Sequence, residues 1–502
     1  MSSMFERHDR YNFEAKIDYT LDLALPKNTY FLTFYFYVPK SLKISPTTYS
    51  KNDFYADMYT YIRFRNPRFT LAELLDPGNR LSPLWQIRSS IDIMRNSVTS
   101  ELVDRKIIYE IRMLGTIFRT CVKAEVLALA RILFPGKNNG FVEIDRRIEE
   151  FLDELRNFDR SFSALGEELL AFRISRELRE TFFFARDLIS LDLQNHLTLL
   201  LDAYRKQKGK VAKTVADRII GIIEEKKKTR TIHGSPLVRS PSSTNEEFTY
   251  WEGILKKYFQ GVLYLEVRDK DAKEKALQFF YAVAAGVAMF LSLVLGFWIG
   301  MKFSNQQSMG FILALVFAYI VKDRTKEIIR VYSNRLIRHF FHDRRFEIID
   351  PASGEDIGIV RETVRFMTPG DVPPEIRRER GSGHITVVEA KGKPEEVIVY
   401  EKEVVIDTRK ISRRHTRHRD INDIIRFNIR KFIQYADDPF HVDKVWDSES
   451  KKIRRIRCAK VYHLNLIIRL ETQTAPKEKK QIVFKHVRVI LNQDGILRMS
   501  ET

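Results

Sequence analysis

The sequence predicts an α+β multidomain membrane protein: a mainly helical N-terminal bundle, a two-helix transmembrane hairpin and a C-terminal α+β domain with a mainly antiparallel sheet. Three observations lead there. Residues Ala276 to Gly300 carry no charge and reach the length at which an apolar helix crosses a bilayer core. Residues Ile144 to Phe172 place apolar side chains at alternating spacings of four and three, the signature of a helical seam. Beyond Arg345 the texture changes to β-branched runs separated by turn residues.

Composition bounds the rest. A chain of 502 residues with a formal charge of +19 has room for several folding units and favours anionic contacts, whether lipid head groups or nucleic acid. Its mean hydropathy of -0.28 leaves most of the mass polar, which disfavours a multi-span transporter. The two cysteines, Cys121 and Cys458, stand far apart, so neither a disulfide framework nor a thiolate zinc site is indicated. The N-terminus has no apolar run of the kind a cleavable signal peptide needs.

Residues 1–80 read as a small α+β cap. Thr29 to Val38 is aromatic or β-branched on both faces, as expected of a central strand ended by Pro39. Ser50 to Arg65 reads as a helix capped by Ser50 with Asp53 in the reciprocal position, with strand alternation as the competing reading. Thr70 and Glu73 open a short helix that stops at Asp76-Pro77-Gly78.

Residues 81–230 form the long-helix region. Ser82-Pro83 starts a helix predicted to reach Phe134, with Pro135-Gly136 as its stop. The seam that follows holds many aromatics, which favours packing against the preceding helix in an antiparallel bundle over a parallel zipper between two copies. Helical pattern resumes from Leu178 to about Lys228. Residues 231–246, rich in Ser, Thr and Pro, are the linker, and His233 within it has no second ligand at metal spacing. Residues 247–275 read as an amphipathic juxtamembrane helix.

The hairpin is placed at 276–322. Its second apolar run, Met309 to Val321, is adequate for a span if the helix begins near Ser304, whereas one beginning at Met309 would be re-entrant or buried in protein. Ala282, Gly286, Gly296 and Gly300 give small-xxx-small spacings, suited to self-association or to packing against the second helix. Arg268, Lys270, Lys273 and Lys275 precede the hairpin; Lys322, Arg324, Lys326 and Arg330 follow it. The positive-inside rule therefore puts both termini in the cytoplasm, at the plasma membrane or a bacterial inner membrane. A basic connector helix occupies 323–344 and the α+β basic domain 345–502, in which Asp420 is expected to cap a helix carrying Ile421, Ile424, Ile425 and Ile429.

The strongest functional constellation is basic. Arg413, Arg414, Arg417 and Arg419, with Lys451, Lys452, Arg454, Arg455 and Arg457, offer guanidinium forks to phosphate. The competing reading is a solvated turn and strand face. His415 and His418 lack the further ligands that a metal site needs. For catalysis the candidates are Asp371, Glu389 and Lys391: Glu389-Ala390-Lys391 is similar over a few residues to the PD-(D/E)xK nuclease motif, whose acidic pair holds a metal. The Pro-rich context of Asp371 departs from that motif. No phosphate-binding loop, dinucleotide fingerprint or zincin helix is present, and no cofactor is implied.

The function expected from these features is a non-enzymatic, membrane-anchored scaffold or sensor, oligomeric and in contact with anionic lipids. The alternatives are a membrane-tethered nucleic-acid-binding or nuclease-like protein and an oligomeric membrane-disrupting effector.

Overall fold

The computed structural model describes residues 4–96, 101–133, 141–206, 213–238, 245–269, 272–302, 309–340, 342–382, 395–417, 420–473 and 481–501. The chain divides into a sheet unit, Met1–Ile62 with Leu265–Arg414 and Ile421–Thr502, and a helical unit, Arg63–Tyr264 with His415–Asp420.

In the sheet unit the N-terminal strands are β1 (Phe5–Arg7), β2 (Asn12–Thr20), β3 (Lys27–Pro39) and β4 (Met58–Phe64). Later come β5 (Glu266–Asp269), β6 (Arg344–Ile349), β7 (Asp356–Met367), β8 (Glu395–Asp407) and β9 (Asp420–Asn428). The last five are β10 (Phe440–Asp447), β11 (Lys452–Ala459), β12 (Tyr462–Gln473), β13 (Gln481–Asn492) and β14 (Gly495–Glu501). An eight-stranded sheet runs β14-β13-β12-β3-β8-β7-β6-β5, a four-stranded sheet runs β1-β2-β9-β4, and β10 and β11 pair only with each other.

The aromatic strand β3 is central, pairing antiparallel with β12 on one side and β8 on the other. The expected 1–80 cap is therefore not a separate layer: its main strand completes a sheet built from residues after 265. Aromatics fill the core, with Phe36 edge-on to Phe54 at 5.5 Å and Tyr19 stacked on Tyr30 at 4.6 Å.

Three local expectations are corrected. The Ser50 cap and its Asp53 partner hold, but the helix, α1 (Lys51–Asp57), gives way at once to β4. Asp420 starts the strand β9, not a helix. Its isoleucines satisfy both periods, but Asn422 and Asp423 are buried, and the strand gives them Asp18 and Lys402 as partners. The amphipathic helix expected over residues 247–275 ends early, because the chain leaves α8 (Glu246–Gln260) to join the sheet as β5.

In the helical unit, α2 (Leu71–Leu75) carries the Thr70/Glu73 capping box, and α3 (Pro83–Asn96) begins at the proline. They lead to α4 (Glu101–Ile132), α5 (Phe141–Leu170), α6 (Arg176–Arg205) and α7 (Lys213–Ile232). The Pro135-Gly136 stop lies outside the described residues. From Ile144 to Leu169 every apolar seam residue of α5 is buried within the chain, whereas a zipper between two copies would leave the seam uncovered here. Phe118, Phe158, Phe162 and Phe182 stack in sequence across α4, α5 and α6. Gly166 permits this approach, since a Cβ there would lie 2.1 Å from the Phe182 ring.

The two-helix transmembrane hairpin is not met. Two long helices are present, α9 (Ala272–Lys302) and α10 (Met309–Phe340), packed along each other. Among the described residues, however, only Gln278–Met301, with mean hydropathy 2.3, is long and apolar enough to cross a membrane. The apolar part of α10 is residues 309–321, about 20 Å of helix against a hydrocarbon core of about 30 Å. Lys322, Asp323, Arg324, Lys326 and Glu327 then crowd one and a half turns, which no span of that length tolerates.

Candidate membrane and anion-binding surfaces

The helices α9 and α10 are inserted between two adjacent strands. β5 pairs antiparallel with β6, Glu266 opposite Ile349 and Asp269 opposite Phe346, so the chain departs and returns at one place on the sheet edge. Between those strands the apolar side chains face outward: Phe290, Phe297 and Trp298 on α9 are each about two-thirds exposed or more, and Leu313 and Phe317 on α10 are comparable. Contiguous exposed apolar surface of this kind marks a site of interaction. Arg330 of α10 sits over the Tyr281 ring of α9 at 4.6 Å, tying the two helices together.

The small residues of α9 divide. Ala284 and Ala288 are buried, as is Ala318 on α10. Ala282 is exposed, and a Cβ on Gly286, Gly296 or Gly300 would meet nothing within 4 Å. The three glycines are not what lets α10 approach; they lie on open surface.

The second candidate is the ribbon of β10 and β11, exposed along nearly its whole length. Cys458 lies near the end of β11, which stops at Ala459 before β12 begins at Tyr462. The register sorts the side chains. Val442 faces Arg457, Lys444 faces Arg455 and Trp446 faces Ile453, so one face carries Lys444, Arg455 and Arg457 among Phe440, Val442, Trp446 and Ile453, with no acid. On the opposite face Asp443 is paired with His441 at 3.0 Å and Asp447 with Arg454 at 2.7 Å. Arg457 lies 3.7 Å over the Phe440 ring, a cation held on an aromatic. Lys451, in the connecting turn, has a left-handed φ of 50°.

The other basic cluster is differently placed. Arg413 is exposed at the end of α12 (Thr408–Arg414), for which the preceding helix in the chain is α11 (Pro374–Ser382). The Arg414 side chain, His418 and Arg419 lie outside the described residues. Arg417 belongs to the helical unit, where it donates two bonds to the Glu110 carboxylate, at 2.7 and 3.1 Å, both groups buried. Burial raises the Glu110 carboxyl above its ordinary range while Arg417 draws it down. That guanidinium is engaged internally, though with Arg65 and Arg68 it lines a cavity of about 390 Å³.

Of the catalytic candidates only Asp371 is among the described residues. Asp371 is exposed in the turn after β7 and accepts a bond from Thr368 Oγ1 at 2.6 Å, while Glu389 and Lys391 lie outside the described residues. Among the described residues no group of three His, Cys, Asp or Glu is placed to hold a metal ion.

Sequence reasoning missed a buried polar network in the sheet unit. Lys402 Nζ binds Asp423 at 2.7 Å and lies 3.9 Å from Glu362, which accepts from Tyr400 at 2.8 Å; Tyr19 donates to Asp423 at 3.0 Å. Burial pushes the Glu362 carboxyl upward, against the pull of Lys402. A lone cation inside the alternating strand β8 was the available signal. The arrangement braces β7 and β8 of the larger sheet against β2 and β9 of the smaller one.

No protein-family model, curated protein or solved structure matches this chain.

Proposed function

We propose that this protein is a non-enzymatic scaffold or sensor held at a membrane by α9, which embeds its apolar surface from one face with α10 packed beside it and neither helix acting as half of a two-span hairpin. The observation that carries this reading is the exposed apolar surface of α9 and α10 interrupting the paired strands β5 and β6. Because the chain enters and leaves at one place, the polar units on either side of the insertion share one aqueous compartment. The Lys and Arg flanks make that compartment the cytoplasm, at the plasma membrane or a bacterial inner membrane. The basic, aromatic face of the β10–β11 ribbon adds contact with anionic head groups, each cation contributing about 1 kcal/mol near such a surface.

Vesicle flotation tests this. The protein should float with phosphatidylcholine vesicles and more completely with vesicles containing phosphatidylglycerol. Replacing Phe290, Leu293 and Phe297 with Ser should leave it in the dense fraction with both. Replacing Lys444, Arg455 and Arg457 with Gln should remove only the phosphatidylglycerol increment and its salt dependence. A wild-type protein that never floats overturns the proposal. The ribbon also favours a second reading, nucleic-acid binding, since alternating cations and aromatics suit phosphates and stacked bases. In that case the same Gln variant loses single-stranded DNA binding while its flotation is unchanged.

A further inference from the structure

The helical unit contains a cavity of about 360 Å³ formed by α6, α7, the segment after α7, and α8. Its wall is aromatic: Phe183 and Phe184 come from α6 and Trp251 from α8, with the last two edge to face at 5.6 Å. Its charges are unequal. Asp187, the one carboxylate lining it, has both oxygens occupied, one by Arg230 Nε at 2.9 Å and the other by the Trp251 indole N–H. The cations are not so matched. Arg230 is buried and also donates to the Pro236 carbonyl, yet its Nη1 has no acceptor. Arg186, half-buried, rests over the Phe183 ring at 4.9 Å and has no hydrogen bond or ion pair from its guanidinium among the described residues.

Arg230 Nη1 is buried without an acceptor, which is costly, whereas the Arg186 nitrogens stay open to solvent and can receive a ligand; partial burial lowers the Arg186 pKa from its ordinary value. The cavity thus offers N–H donors and a flat apolar wall while its one acid is already consumed. The volume sits at the low end of the range for small-molecule sites, which run from about 300 to 1,000 Å³.

We propose that this cavity is a binding site for a small anion carrying a planar ring, of the mononucleotide class, with the phosphate on Arg186 and the ring against Phe183 and Trp251. Such a ligand gives Arg186 a charged acceptor in place of water beside the unsatisfied Arg230 Nη1, and because Phe183 and Arg186 stand on α6 and Trp251 on α8, occupancy fastens those helices together. This gives the helical unit a sensing role that the membrane reading does not require.

The test is calorimetric titration of the full chain, in mild detergent, with the four common nucleoside monophosphates, adenosine and inorganic phosphate. At least one monophosphate should bind with one-to-one stoichiometry, more tightly than its two fragments, and quench Trp251 fluorescence, a signal lost in Trp251→Phe. Arg186→Gln should weaken it about tenfold or more, the loss expected for a charge-assisted hydrogen bond. Phe183→Ala, at a partly exposed position, should weaken the monophosphate while leaving phosphate alone unaffected. Absence of binding by every monophosphate overturns the site, as does unchanged affinity in folded Arg186→Gln. Adenosine binding as tightly as AMP removes the anion from the proposal; phosphate binding as tightly removes the ring. None of these outcomes depends on flotation, so the site and the membrane reading fail separately.

Discussion

Helices α5 and α9 are of similar length and both rich in apolar residues, yet their surroundings are opposite. In α5 the apolar residues form one stripe, and Ile148, Phe158 and Leu169 are fully buried against the chain's own helices. In α9 they surround the helix, and Phe290, Leu293 and Phe297 remain largely exposed. A stripe is satisfied by one neighbouring surface, whereas a helix apolar all round needs an apolar environment on every side. Apolar content therefore does not distinguish a core helix from one with an exposed apolar surface; its angular distribution does.

Substitutions should separate the two helices by stability. Phe158→Ala should cost about 3–5 kcal/mol in urea unfolding, since it removes a stacked, fully buried ring. Phe290→Ala in detergent should stay within about 0.5 kcal/mol, as for an exposed position with no partner. Equal losses would dissolve the contrast.

The same contrast applies to arginines. Glu110→Ala leaves Arg417 buried and unpaired and should destabilise the helical unit by about 3 kcal/mol or more. Arg455→Gln on the ribbon should leave the melting midpoint unchanged. A melting midpoint insensitive to Glu110 would return Arg417 to the list of ligand-binding candidates.

Within the helical core, pH offers a gentler probe. Burial pushes Asp192 up to about 7, against the pull of Arg119. The native state then holds a proton that the unfolded chain releases near pH 4, so stability should fall as pH rises from about 4 to about 7 and level off above. Asp192→Asn cannot ionise and should flatten that slope; an unchanged slope assigns it to another group.

The smallest effect is expected on the open face of α9. If copies associate there, replacing Gly296 and Gly300 with Leu should cost about 1–2 kcal/mol of helix association and dissociate detergent-resistant oligomers. Oligomers that persist place the assembly surface elsewhere.

Much of the local structure was legible because local chemistry decides it. The Ser50 and Thr70 capping boxes, the Pro83 helix start and the α5 seam follow from side chains within a few turns. What was not legible depends on long-range pairing. That β3 joins strands more than 350 residues away cannot be read from its own alternation, and the isoleucines of β9 fit a helix as well as a strand until Lys402 is seen opposite Asp423. The basic constellation was visible as charge, but its division into an unpaired ribbon face, a neutralised face and a buried Arg417 required the register and Glu110. The short second apolar run was visible too. It reaches the length of a span only with its flanks counted as helix, whereas α10 begins at Met309 and turns charged at Lys322.

Quenching of Trp298 by brominated lipid tests the central claim most directly. In vesicles of dibrominated phosphatidylcholine, wild-type tryptophan fluorescence should fall, and most of that fall should vanish in Trp298→Phe, because α9 places this indole in the acyl region. Quenching that is absent in the wild type, or equally strong in Trp298→Phe, would contradict insertion of α9.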